Sequence, residues 1–371
     1  MIGDSARFNA YSKAISRGVR AGDIVAEIGC GPAMFALLAC RAGAKRVYAI
    51  ETEDIIEVAK RIAAANGVTD QIRFFQGDSR KVELPERVNV IVSDIRGLLP
   101  LFGDAVTSLQ DARKRFLVPN GTMIPRRDVL KAAIIEAEKA YSRLTAPWKT
   151  CTTEIELSIP LQLVLNNGHS VTVKVEQLMS EAAEVCTLEY MGNLGPNVSG
   201  KLSLPANRNG TAHGVCVWFE AELYEDIGFS AGPESPGTVY GQWFLPWLEP
   251  VVIEKGQEIL VTLQANLVGK DYIWRWETET TRREGGEKVH FRQSSFEGSF
   301  VSSHTLRRRA VNHIPVLTAE GEAQRFLLEA MDGRASLEEI AKKAAVRFPA
   351  VYSSHEAAFE RVSELARKLS R

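Results

Sequence analysis

Val25-Ala26-Glu27-Ile28-Gly29-Cys30-Gly31-Pro32-Ala33 decides the fold: an apolar run, a turn built on two glycines, and the small-residue stretch Ala33 to Ala42 beyond it. This pattern reads as a strand that ends in a tight turn and opens a helix. Gly29 and Gly31 let the backbone turn sharply and let a ligand approach it closely. A structural turn is the competing reading of a lone G-x-G, so its surroundings matter. Working outward, β-like runs recur at Val47-Tyr48-Ala49-Ile50, Ile72-Arg73-Phe74-Phe75 and Val88-Asn89-Val90-Ile91-Val92, with a second helical stretch from Asp54 to Ala65. Alternating strands and helices are the signature of βαβ units and a parallel sheet. From about Gly22 to Glu136 a doubly wound α/β domain is expected.

Glu51 closes the second strand twenty-two residues after Gly29. A carboxylate there can accept hydrogen bonds from both hydroxyls of a ribose. A nicotinamide dehydrogenase would share these features, and two residues count against it. Met34 replaces the third glycine of G-x-G-x-x-G, and Glu27 precedes the turn, where a pyrophosphate would be repelled. A cofactor with a cationic amino-acid end and no phosphate tolerates Glu27, and S-adenosylmethionine (SAM) fits that description.

Beyond about Asp128 the periodicity changes. Val215, Val217, Phe219, Ala221 and Leu223 alternate with Cys216, Trp218, Glu220 and Glu222, and Ile259-Val261-Leu263-Ala265 and Tyr272-Trp274-Trp276 repeat the alternation. Period-two runs separated by clusters such as Asn166-Asn167-Gly168 predict an antiparallel sandwich or barrel. From about Val311 the pattern is helical, with Ala323, Phe326, Leu327, Ala330 and Met331 on one face and Gly333 as the stop. Ser336 with Glu339 and Ser353 with Glu356 read as capping boxes. Three domains follow: 1–128, 129–310 and 311–371.

A chain of 371 residues, 45% hydrophobic and 25% charged, has the composition of a globular protein with more than one packed unit. It has no run of eighteen apolar residues and no signal-like start, which predicts no membrane span and a cytoplasmic location. Cys30, Cys40, Cys151, Cys186 and Cys216 are scattered and never paired as C-x-x-C, so inert thiols are expected, with no disulfide framework and no metal site. A net charge of -1 offers no general attraction to nucleic acid.

Glu27-Ile28-Gly29-Cys30-Gly31 and Arg41-Ala42-Gly43-Ala44-Lys45-Arg46-Val47-Tyr48-Ala49-Ile50-Glu51 resemble the first motifs of the protein arginine methyltransferase family. The likeness continues through Val82-Glu83-Leu84-Pro85, Ser93-Asp94, Leu117-Val118-Pro119-Asn120-Gly121, Gly214-Val215-Cys216-Val217-Trp218-Phe219 and Gly241-Gln242-Trp243. The resemblance implies a Rossmann-like SAM methyltransferase domain followed by an antiparallel β-barrel. It further implies that Arg7, followed by Tyr11 within a segment that begins at Met1-Ile2, pairs with the cofactor carboxylate. Glu27 would lie near the amine end, Glu51 on the ribose, and Asp78 and Ser79 at the adenine edge. A surface salt bridge is the competing reading of Arg7, and a loop cap that of Asp78.

Family members grip the substrate guanidinium with two glutamates after the fourth strand. Here Asp94 takes the first position, Gly103 the second, and the nearest acid is Asp104. The family's threonine-histidine-tryptophan loop reads Gly241-Gln242-Trp243, with Gln242 in place of histidine. Asp94, Asp104 and Gln242 are therefore the expected acceptor-side residues, and a strand-end cap is the competing reading of Asp94. Arginine, histidine, an N-terminal amine and a small molecule remain open as acceptors. Pro315 to Ile340 is similar to PqqD-like peptide-recognition domains, small winged-helix modules, which implies a peptide or protein substrate; a plain helical cap competes with it. The family's dimerisation arm would fall within Tyr141 to Thr153, a short stretch without a clear arm pattern, and a homodimer is the expected assembly. A small-molecule N-methyltransferase and a silent SAM-binding interaction protein are the alternatives.

Overall fold

The computed structural model describes residues 3–150, 155–235, 237–281 and 286–370. Met1, Ile2, Cys151 and the end of the Tyr141–Thr153 stretch lie outside them. The chain begins with α1 (Ser5–Gly18), followed by β1 (Ile24–Ile28), α2 (Met34–Arg41), β2 (Arg46–Glu51), α3 (Ile56–Ala65), β3 (Ile72–Gln76), β4 (Val88–Ser93), α4 (Ala105–Phe116) and β5 (Leu117–Ile124). The strands form a parallel sheet in the order β3-β2-β1-β4-β5. β1 and β4 are apolar almost throughout because both faces are covered, as a parallel sheet requires. The doubly wound expectation is met, with the strands where the apolar runs placed them.

The next elements are β6 (Arg127–Ile135), α5 (Glu138–Lys149), α6 (Ser158–Leu165), β7 (His169–Val171), β8 (Ala183–Glu189), β9 (Val198–Ser203), β10 (Gly210–Tyr224), β11 (Ile227–Ser230), β12 (Gln242–Ile253), β13 (Leu260–Val268), β14 (Asp271–Thr281) and β15 (Lys288–Ser294). They build two antiparallel sheets, β7-β12-β10-β6-β8 with β11 on β10, and β15-β14-β13-β9. The alternation read in β10 is real but incomplete. Val215, Val217, Phe219, Ala221 and Leu223 enter the main core, while Cys216 and Trp218 on the opposite face are also buried, in a second cluster with Tyr141 of α5 and Leu165 of α6. Two helices cover what a bare period-two pattern marks as the solvent face.

Residues 1–299 form one compact unit and 300–371 another. The parallel and antiparallel sheets therefore share a unit, and the terminal one starts eleven residues before the expected 311, since α7 (Ser303–Arg308) groups with it. α8 (Ala319–Ala330), α9 (Leu337–Arg347) and α10 (His355–Leu369) enclose their own core of Ala323, Leu327, Ile340, Ala344 and Val362. Ser336 and Glu339 make the expected capping box. The second box does not form: Ser354, one residue later, caps α10 by accepting from the Ala357 amide. Among the described residues no strand occurs in this unit, and no helix anywhere is long and apolar enough to cross a membrane.

Candidate functional site

β1 has β2 on one side and β4 on the other, so strand order reverses at its carboxyl end. Open α/β sheets place their ligand crevice at that point. A cavity of about 390 Å³ opens there, with Gly29, Glu51, Asp78 and Ser79 in its lining together with Ile95, Arg80, Asp104 and Lys270. Four residues chosen from sequence for cofactor contact thus share one groove.

Gly29 sits at φ +69, and a Cβ built there would lie 2.3 Å from Ile95 Cγ2. Only glycine fits, on both counts. The Glu51 carboxylate accepts from the Gly31 amide at 2.8 Å and from the Thr52 and Glu53 amides at 2.7 and 3.1 Å. Glu27 is 2% exposed and accepts from the Ala36 amide at 2.8 Å. Burial pushes its carboxyl up to about 8, the amides of α2 and the nearby Glu51 being smaller influences. At the other end of the groove the hydrogen bond from Arg80 holds Asp78 down at about 2, and Asp78 also caps its loop by accepting from the Arg80 amide.

The acceptor-side residues are not brought together as the sequence suggested. Asp104 faces the cofactor groove, 3.0 Å from Arg80, which also holds Asp78. It lies with Arg80 and Asp78 in the groove and not beside Asp94. Gln242 is 6% exposed; it accepts from the Val173 amide and donates to the Ala231 carbonyl. These two bonds tie β12 to the segments that follow β7 and β11.

Asp94 is instead the hub of a buried polar network. Its side chain is 1% exposed. Oδ1 accepts from Arg96 and Tyr240, both at 2.7 Å, and Oδ2 accepts from Arg7 at 3.0 Å. A carboxylate has about four lone-pair positions, so these three donors leave one, on Oδ2. Arg7 is buried, which removes the surface-salt-bridge reading, and its Nε makes no hydrogen bond. Asp4 caps α1 through the Arg7 amide and accepts from the Val239 amide, which draws the loop carrying Tyr240 onto α1. Tyr11, on the same helix, donates to the Ser93 carbonyl at 2.8 Å.

Sequence reading missed Arg96, Asp128, Tyr190 and Tyr240. One signal was available: Asp128 is a lone acid heading the apolar Val129-Leu130 stretch, and a charged residue entering a strand core needs a partner. Cys30, Cys40 and Cys216 are free and buried, and Cys186 is free and half-buried. Burial pushes the thiols of Cys40 and Cys186 up to about 11 and 12, in keeping with inert side chains. Among the described residues no cluster could hold a metal ion.

A glycine turn after β1, an acid ending β2 and a polar groove at the switch point, without the third glycine of a pyrophosphate cradle, define the cofactor half of a SAM-dependent methyltransferase. Comparison with known proteins narrows the class. Residues 127–279 match the family described as the arginine methyltransferase oligomerization subdomain, and residues 11–136 match the ribosomal protein L11 methyltransferase (PrmA) family. The chain is 24% identical over 359 residues to a probable protein arginine N-methyltransferase 6 of Arabidopsis thaliana, covering 83% of this chain and 78% of that protein. It is 28% identical over 279 residues to an arginine N(omega)-methyltransferase of Streptomyces achromogenes, covering 71% and 74%. Among solved structures, the Trypanosoma brucei PRMT1 enzyme-prozyme heterotetrameric complex with AdoHcy shares the fold at a TM-score of 0.73 and 21% identity, covering 79% of this chain and 95% of that one. The chain is a SAM-dependent methyltransferase that resembles the protein arginine methyltransferases.

Proposed function

We propose that this enzyme methylates a guanidinium nitrogen of arginine in a peptide or protein, with the acceptor held at Asp94. The observation that carries this reading is the position of Asp94: it directly follows β4, and the next residue, Ile95, lines the crevice against the Gly29 turn. Arg7 links the two halves. Its Nη1 holds Asp94 and its Nε lies 3.5 Å from Asp4, and an arginine fork at this place suits a carboxylate such as the one on the amino-acid end of SAM. When bound, the cofactor supplies an electrophilic methyl group on a sulfonium. Glu51 would hold the ribose hydroxyls, Glu27 would lie near the ammonium, and Asp78 and Ser79 near the adenine. Asp94 would orient the acceptor nitrogen through its remaining lone pair and offset the positive charge that grows there.

The two antiparallel sheets are read as a barrel that carries the acceptor's flanking chain, and the terminal helices as a module that grips a peptide. A homodimer in the cytoplasm completes the proposal, in line with the matched oligomerization subdomain and the four free thiols among the described residues. The test is transfer of labelled methyl groups to arginine-rich peptides and to free arginine, read by mass spectrometry. Peptide labelling that requires residues 300–371 supports the proposal. Transfer to free arginine alone shifts it to a small acceptor, and transfer to neither overturns it.

A further inference from the structure

Arg96 is a guanidinium sealed inside the protein, 4% exposed at the side chain, two residues past Asp94. Its Nη1 donates to Asp94 Oδ1 and to the Tyr11 hydroxyl, both at 2.7 Å. Its Nε and Nη2 form a two-point fork with Asp128, at 2.8 Å each. Asp128 is 0% exposed and also accepts from the Tyr190 hydroxyl at 2.6 Å. The guanidinium carbon lies 5.4 and 5.8 Å from the ring centres of Phe219 and Phe229.

We infer that Arg96, anchored by Asp128, is the positioning residue that aims Asp94 at the acceptor and limits it to a single-point hold. Asp128 lies on β6, hydrogen-bonded to β10 on one side and β8 on the other, so the fork is fixed to the middle of a sheet. Arg96 transmits that rigidity to Asp94 through Oδ1. With Tyr240 on the same oxygen, the carboxylate can turn neither oxygen freely, and only the last lone pair of Oδ2 is left for a substrate. A buried ion pair is weak evidence for stability, since apolar replacements of a whole pair are often neutral. Its geometric effect on Asp94 is specific, because an arginine fork fixes orientation as well as charge.

The inference rests on the acceptor role proposed for Asp94. The experiment compares wild type, R96K, R96M and the double variant R96M/D128N, which removes both charges of the buried pair and leaves an acceptor for Tyr190. Each is measured for melting temperature, for AdoHcy affinity by calorimetry, and for kcat and acceptor KM on an arginine-rich peptide. The double variant is expected to fold and bind AdoHcy within about threefold of wild type while kcat falls at least about tenfold, the scale on which small misplacements act. R96K, which keeps the charge but not the fork, should recover part of kcat. A folded, AdoHcy-binding double variant with wild-type kcat and KM overturns the inference. If the double variant does not fold, wild-type kcat in R96K overturns it. An inactive wild type overturns the reading of the acceptor site and this inference with it; active variants beside an active wild type overturn the inference alone.

Discussion

Glu51 Oε2 accepts a 2.8 Å hydrogen bond from the Gly31 amide, which ties the acid ending β2 to the turn ending β1. The residue that would hold the ribose thus also braces the turn beneath the ligand. Glu51→Ala removes both functions. A charge-assisted hydrogen bond is worth roughly 1.5–3 kcal/mol, so the loss of even one should lower AdoHcy affinity by about one to two orders of magnitude. Calorimetry on the folded variant reads this directly, and wild-type affinity would place the ribose elsewhere.

Gly29→Ala adds a Cβ that cannot coexist with Ile95 and places an L-residue at φ +69. The left-handed conformation alone costs about 1–2 kcal/mol. Both melting temperature and AdoHcy affinity should drop. Adding Ile95→Ala should recover part of the loss by removing the steric conflict while leaving the backbone strain. No recovery in the double variant would mean that the contact with Ile95 is not what excludes a side chain.

Glu27 carries a pH signature. Its folded value of about 8 lies above the ordinary 4.5, so between these pH values the folded protein keeps a proton that the unfolded chain has released. Stability contributed by this group is full below the lower value and declines as pH rises through the higher one. Ligand-free wild type should therefore lose melting temperature relative to Glu27→Gln as pH is raised from about 5.5 to 8.5. Parallel curves would show that Glu27 ionises normally.

Asp94 and Asp104 should separate by kinetic effect. Asp94→Asn weakens the hold on the acceptor and should lower kcat about a hundredfold or more. Asp104→Asn instead releases Arg80 over the cofactor groove, so it should raise the KM for SAM severalfold with little change in acceptor KM. A fall in acceptor affinity on losing Asp104 would return it to the acceptor side.

The sequence by itself determined the parallel sheet, the glycine turn and four of the residues lining the groove, because apolar periodicity and turn chemistry act over a few neighbouring residues. Gly29, Glu51, Asp78 and Ser79 each stand at the carboxyl end of a strand or just past it, and a strand end is legible locally. The capping box at Ser336 was legible for the same reason, whereas the one-residue shift to Ser354 was not: two adjacent serines offer the same hydroxyl, and the packing of Ala358 and Val362 selects between them. Only the tertiary structure decided the acceptor side. Arg7 meets Asp94 across 87 residues and Tyr240 across 233, and Arg96 meets Asp128 across 32. Which partner a buried charge finds depends on how α1, the loop after β4, β6 and the Tyr240 loop pack together. Burial then forces that pairing, because a guanidinium or carboxylate without water must be neutralised by whatever the fold places beside it.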